Sequence, residues 1–304
     1  MAMAGSAEGL VRSGDFALEL IQRQVRRLGK LQGEVMADRD PEPLHQLRVT
    51  LRRLRTALGQ FAPALVLPEG VNGRRIASVA RRTSLCRDLD VLRLRLREEC
   101  LPRLPEEERR SLEGALKRLG EDREQAFATL VEALRGARYL KLLARLHKWQ
   151  RQPRLTRLGE MPLVEWLHEW QAPFTAGLFP HAGWMEEDPG AEALHDLRKR
   201  IKRARYALEP LEPWCEPVLR EWIEELKRAQ NHLGELHDLQ ILNRSLVEGE
   251  WWRKAPKLPA LRRELEARRE AHWVHWRELA ERLRGPERRH EIQRRLVELG
   301  RGGQ

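Results

Sequence analysis

The chain has 304 residues, a formal net charge of +11 and a sequence pI near 10.2, with hydrophobic residues making up 41%. That is enough apolar material for one large or two ordinary domains, and no run approaches the 18 apolar residues of a membrane span. The basic excess, carried far more by Arg than by Lys, points to a polyanionic partner: nucleic acid, an anionic membrane surface or a phosphate polymer.

Taken in chain order, nearly every segment carries helical periodicity and none shows strand-like alternation. Residues 1–9 lack the basic-then-apolar order of a signal peptide and are expected to be a short disordered lead. Leu18, Ile21, Val25 and Leu28 predict a helix over about 15–31. Asp40-Pro41-Glu42 is a helix start, with Asp as cap and Pro in the first turn; that helix runs to about Phe61. A third helix is predicted over 74–99, a fourth over 106–135 with a bend at Gly120, and a fifth over 137–150. Residues 153–162 are the expected boundary between halves. The second half predicts a helix over 163–170, an aromatic loop over 173–184, a helix opened by Asp188-Pro189, and helices over about 221–247, 261–285 and 286–299. Trp149, Trp166, Trp170, Trp273 and Trp276 fall on the apolar stripes. The implied division is 10–152 for the first unit and 163–300 for the second, each of about four helices. Cys86, Cys100 and Cys215 are odd in number and widely spaced, so inert buried thiols of a reducing cytosol are expected, without a metal or redox role.

One stretch occurs twice. His45-Gln46-Leu47-Arg48 through Leu58 returns as His195-Asp196-Leu197-Arg198 through Leu208 at a constant offset of 150. On a helix, Leu44, Leu47, Leu51, Leu54 and Leu58 share one face, as do Leu194, Leu197, Ile201, Ala204 and Leu208. Beside it runs a cationic stripe: His45, Arg48, Arg52 and Arg55 in the first copy, His195, Arg198, Lys202 and Arg205 in the second. A solvated helix interleaves acids with bases. The first copy has no acid after Glu42, so its arginines repel one another unless an anion arrives. Arg53, Arg200 and Arg203 fall elsewhere on the helix, and Tyr206 is the one aromatic interleaved with the stripe. The histidines have two open readings: a neutral side chain bonded to a neighbouring helix, or a phosphate-facing group that gains charge on binding. Metal-ligand spacing is absent around His45. Asp88 and Asp238, also 150 apart, are expected to pair with Arg48 and Arg198.

These residues resemble the CHAD family, the conserved histidine α-helical domain, whose signature is a repeated His-x-x-Arg-x-x-x-Arg/Lys-Arg-x-Arg helix with a Leu-Gly-x-x-x-Asp segment on a later helix. The first element is met at 45–55 and 195–205. The second is met by Leu233-Gly234-Glu235-Leu236-His237-Asp238 and more weakly by Thr83-Ser84-Leu85-Cys86-Arg87-Asp88. The resemblance implies an all-α fold of two four-helix-type bundles related by internal duplication about a pseudo-two-fold axis. It also implies a basic groove or channel between them that binds inorganic polyphosphate. Its implied contacts are His45, Arg48, Arg52, Arg53, Arg55, His195, Arg198, Lys202, Arg203 and Arg205, joined as candidates by Tyr206 and by Arg81, Arg82, Lys227 and Arg228 on the following helices. Many relatives carry a fused CYTH triphosphatase domain marked by an E-x-E-x-K strand motif. None is found here, so the expectation is a stand-alone, non-enzymatic, cytoplasmic binder of long-chain polyphosphate, associated with polyphosphate granules, without cofactor or membrane contact. A nucleic-acid binder using the same face is the alternative, disfavoured because stacking aromatics are not interleaved with the cations.

Overall fold

The computed structural model describes residues 11–247 and 257–300; the expected lead over 1–9 lies outside them. α1 (Ser13–Ala37) buries Ala17, Ile21, Val25 and Leu28 completely and packs on α2 (Glu42–Gln60). It ends at Asp38, which takes a left-handed φ of 46°. α2 starts one residue later than expected, with Pro41 instead of Asp40 in the cap position; Asp40 Oδ1 still accepts from Glu42 N at 2.6 Å, satisfying an orphan helix-start donor. The predicted third helix is two: α3 (Gly73–Arg82) and α4 (Ser84–Leu94), with a break at Thr83. A π-helical turn over Arg95–Cys100 continues α4. Then come α5 (Glu106–Arg135), unbroken at Gly120, and α6 (Ala137–Arg151).

Residues 153–162 are docked on the first half. Val66 N donates to Arg154 O, Thr156 N to Ala64 O and Ser13 N to Met161 O. Within this stretch, α7 (Arg157–Glu160) is capped by Thr156. α8 (Leu167–Thr175) follows, running past Pro173. α9 (Glu192–Leu208) begins later than Asp188-Pro189 suggested. The reason is local: Asp188 Oδ1 accepts from Gly190 N at 2.8 Å, closing a turn before the helix instead of capping it. α10 (Pro217–Leu242), α11 (Pro259–Arg284) and α12 (Pro286–Val297) complete the chain. Among the described residues there is no strand beyond two isolated bridges, and no helix is long and apolar enough to cross a membrane.

One hydrophobic core runs through both halves. The leucine faces of α2 and α9 lie in it, Leu47, Leu51, Leu54, Leu197, Ile201 and Ala204 all being fully buried. Burial of each such large aliphatic side chain stabilises the fold by about 1.5–3 kcal/mol. An aromatic seam stitches the halves: Phe61 lies 5.7 Å from Phe16 and 5.2 Å from Trp170, and Phe16 lies 5.4 Å edge-on from Trp214. Trp170 Nε1 donates to Ser13 Oγ at 3.1 Å. Cys86, Cys100 and Cys215 are free and buried.

Candidate anion-binding site

With their leucine faces in the core, α2 and α9 pack against each other and bring their cationic edges together. The two deepest arginines are held differently. Arg48 Nη1 donates to Ala80 O, Thr83 Oγ1 and Ser84 Oγ at 2.9–3.0 Å, at the break between α3 and α4. Burial, then neighbouring Arg52, pushes its pKa down to about 10. Arg198 instead crosses an unbroken helix. It lies against Gly234, where an added Cβ would sit 3.1 Å from Nη2. Ser84 and Gly234 are equivalent at the offset of 150. The glycine makes room for one arginine; where it is missing, the helix opens and supplies acceptors for the other.

The expected pairing of Asp88 and Asp238 with Arg48 and Arg198 is corrected. Asp238 Oδ2 pairs with Arg95 Nη2 at 3.3 Å, and Asp88 makes no ion pair within 4.0 Å among the described residues. Arg48 turns Nη1 to the α3–α4 break and acts on Asp88 through its charge, and Arg95 reaches from the first half into the second. Arg95 also holds Glu235 through two bonds of 2.6 Å. Sequence reasoning missed this arginine because Glu235, which it holds through two bonds, is 140 residues away.

His45 and His195 make no side-chain hydrogen bond among the described residues, so the helix-bonded reading finds no partner. Burial, followed by Arg87, lowers the His45 pKa; burial, then Lys199, lowers that of His195. His195 Nδ1 is buried without a partner, with its ring 4.6 Å from His237. Burial and that neighbour push His237 down to about 4, so it is neutral at physiological pH.

Two expected anion contacts are already engaged. Arg53 Nη2 and Arg205 Nη1 share Glu209, at 3.0 and 2.5 Å, and both guanidinium groups lie over the Tyr206 ring, at 5.7 and 5.0 Å. Cation–π contact on that ring leaves it a poor platform for a stacking base. Lys227 and Arg228 pair with Glu224 and Glu225 one turn earlier on α10. Arg81 and Arg82 line a separate open depression with Ser78, Gly136, Ala137 and Arg138.

The remaining cations surround a pocket of about 520 Å³ between α2, α8 and α9. It is lined by Arg52, Arg55, Lys199, Arg200, Lys202 and Arg203, by Asp196, and by Thr56, Pro173, Phe174, Gly177, Leu178 and Tyr206. Arg200 and Arg203, placed by the sequence away from the stripe, belong to its wall. Asp196 occupies two of the cations, Lys199 at 3.1 Å and Arg200 at 3.3 Å, together with His181 Nε2 at 3.0 Å. These bonds hold its carboxyl well below the usual range. Arg52, Arg55, Lys202 and Arg203 have no carboxylate within 4.0 Å among the described residues. Arg52 Nε is buried without a partner, and Arg203 stacks at 5.5 Å over Phe174. Burial, then Arg203 and Arg52, lowers the Arg55 pKa. Burial, then Arg198, Arg52, Arg205 and Arg48, pushes Lys202 down to about 7. Arg52 and Arg48 lie on one copy of the repeated helix and the other cations on its second copy, so their charges act on a single ammonium group.

The description of the CHAD domain matches residues 19–247. The chain belongs to the CHAD family. Two solved structures share the fold of this CHAD protein. The CHAD domain from the plant Ricinus communis superposes with a TM-score of 0.63 at 21% identity, covering 97% of this chain and 95% of that one. PptA from Streptomyces chartreusis gives 0.62 at 17% identity, with 88% and 99% covered. A search of curated proteins found no match.

Proposed function

We propose that this CHAD protein binds long-chain inorganic polyphosphate, without catalysing a reaction on it, in a basic groove where the two copies of the repeated helix meet as pseudo-two-fold equivalents. The observation that carries the reading is the cluster of Arg52, Arg55, Lys202 and Arg203: four cations from both copies, crowded together with no carboxylate within 4.0 Å among the described residues. Such crowding costs free energy in the empty protein and is relieved by a ligand that brings dense negative charge and pairs of non-bridging phosphate oxygens, which guanidinium groups bind in forked pairs. CHAD domains are a polyphosphate-binding family, which supports this ligand over others of like charge. The same reading assigns no triphosphatase step and places the protein in the cytoplasm with polyphosphate granules.

Calorimetry with a length series at two salt concentrations tests it. Long chains should bind at least about 100-fold more tightly than tripolyphosphate or ATP, because a short anion meets fewer of the cations, and affinity should fall steeply with salt through counterion release. Equal affinities for all three would remove the groove reading. Single-stranded or duplex nucleic acid that displaces polyphosphate at matched phosphate concentration would make nucleic acid the ligand.

Lys202 adds a pH signature. Bound phosphate favours the charged ammonium and raises its pKa from about 7 toward the ordinary value near 10.4. The Lys202 contribution to affinity is therefore constant below pH 7. It is lost as pH rises from 7 toward 10, by up to about tenfold per unit. At pH 8 binding should take up close to one proton, read as a difference in binding heat between buffers of unlike ionisation enthalpy. Lys202→Met should abolish that uptake; uptake unchanged in the variant would assign the proton elsewhere.

A further inference from the structure

The surface of α3 and α6 departs from the rest of the molecule. Other helices set acids one turn from their exposed cations: Arg110 with Glu106 on α5, Lys227 with Glu224 on α10, Arg23 with Glu19 on α1. α3 carries Arg74, Arg75, Arg81 and Arg82, and α6 carries Arg138, Lys141, Arg145, Lys148 and Arg151, yet neither helix contains a single acid. None of these nine side chains makes an ion pair among the described residues. They are also held together rather than spread. Arg138 Nη1 donates to Ser78 Oγ at 3.2 Å and so ties α6 to α3. A Cβ added at Gly70, whose φ is +76°, would collide with both Arg145 Nη1 and Arg75 Nη1, so these two guanidinium groups stand side by side. The open depression of about 530 Å³ lies between Ser78, Arg81, Arg82, Gly136, Ala137 and Arg138. Fixing like charges in this way raises the free energy of the unliganded protein. An anion laid across them reverses that cost.

This patch adjoins the pocket between α2 and α9. Arg55 lines that pocket, feels the charge of Arg81, and packs its Cγ against the start of α3, where a Cβ on Gly73 would sit 3.3 Å away. Arg55 is thus the hinge between two basic surfaces. We propose that the α3–α6 patch is a second anion site, which takes the continuation of the same phosphate chain as it leaves the α2–α9 pocket past Arg55. The proposal rests on the polyphosphate reading above and adds to it a path: chains long enough to pass Arg55 engage Arg81, Arg82 and Arg138, and chains confined to the pocket do not.

The experiment compares Arg82→Glu/Arg138→Glu with Arg52→Glu/Arg203→Glu, using tripolyphosphate and long-chain polyphosphate on the full chain. All four positions except Arg52 are exposed, and circular dichroism monitors folding. In the α3–α6 variant, tripolyphosphate affinity should stay at the wild-type value while long-chain affinity falls by about tenfold or more. The salt slope of long-chain binding should flatten by about 1.4, at roughly 0.7 for each phosphate that the variant no longer neutralises on a single strand. Long-chain affinity unchanged in this variant but abolished in the pocket variant would overturn the second site and leave the pocket standing. Equal loss for both ligands in the α3–α6 variant would make this patch the primary site and overturn the path. Wild-type affinity in both variants would overturn the path together with the polyphosphate reading beneath it.

Discussion

Reversing Arg52 and Arg203 to glutamate together should lower the affinity for long-chain polyphosphate by about 100-fold or more while leaving the helical content intact. A hydrogen bond to a charged group contributes about 1.5–3 kcal/mol, so removing two such bonds costs at least about 3 kcal/mol, or roughly two decades in Kd. The introduced carboxylates add repulsion. These positions suit the test because neither side chain makes an ion pair among the described residues: Arg52 keeps a buried Nε without a partner, and Arg203 lies over the face of Phe174. Arg48 and Arg198 would be poorer choices although they share the stripe. Arg48 holds the α3–α4 break through three acceptors, so its reversal would damage the fold and confuse a missing ligand with a missing helix. Lys227→Glu/Arg228→Glu is the matched control. Both side chains are exposed; Lys227 meets exposed Glu224, a surface pair worth little, and Arg228 lies 4.0 Å from Glu225, which Arg282 and Arg288 hold more closely, so the same change in net charge should cost less than about threefold. Retained binding in the Arg52/Arg203 variant would mean that the anion lies on another face; an equal loss in the control would reduce the effect to net charge.

Much of this arrangement was legible in the sequence, and the parts that were not share one cause. The leucine faces of α2 and α9 and the extent of α5 follow from local spacing, and each is where the periodicity placed it. The cationic stripe was legible for the same reason: helical geometry alone puts Arg52 and Arg55 on one edge. What the stripe could not tell was which cations remain free. Glu209 lies four residues after Arg205, a pairing any helix permits, but its second claim on Arg53 spans 156 positions. Lys202 owes its lowered pKa to burial and to Arg198, Arg52, Arg205 and Arg48, two of them on the other copy. Thr83-Ser84 looked like a defect in a signature. Its meaning emerges only when Arg48 is seen to need acceptors that Gly234 spares Arg198 from needing. The second wall of the pocket, Phe174 at the end of α8 and Gly177 just after it, comes from a stretch whose sequence carries no charge pattern to announce it.

The pairing of Arg95 with Glu235 and Asp238 leads to the second large effect, on stability rather than binding. Arg95→Ala should destabilise the protein by about 3–5 kcal/mol, the usual cost of removing one partner from a buried ion pair, and lower the Tm by roughly 10 °C. The Arg95 side chain is 11% exposed, and its partners are 29% and 25% exposed, so water screens the vacated site only in part. Arg95 is also the charge that balances two carboxylates on α10. Without it, Glu235 and Asp238 would face each other, with His272 the nearest group of opposite tendency at 3.9 Å from Glu235. The pH dependence separates this account from a simple packing defect. In the intact protein burial pushes the Glu235 pKa up, but the two bonds from Arg95 more than offset it and hold it below its ordinary value. A carboxyl lowered in the folded state contributes stability above its unfolded pKa, near 4.3, and loses it as pH falls through the folded value. Asp238 is raised, chiefly by burial, and works in the opposite sense, most strongly once Arg95 is gone. The gap between wild type and Arg95→Ala should therefore be widest near pH 7 and close below about pH 4, as both carboxyls of the variant take up protons. Arg95→Lys, which keeps the charge but not the forked geometry, should recover part of the loss. Urea unfolding at pH 7 and pH 4 measures all three proteins. A gap of the same size at both pH values would assign the loss to packing and deny Arg95 its electrostatic role between the halves.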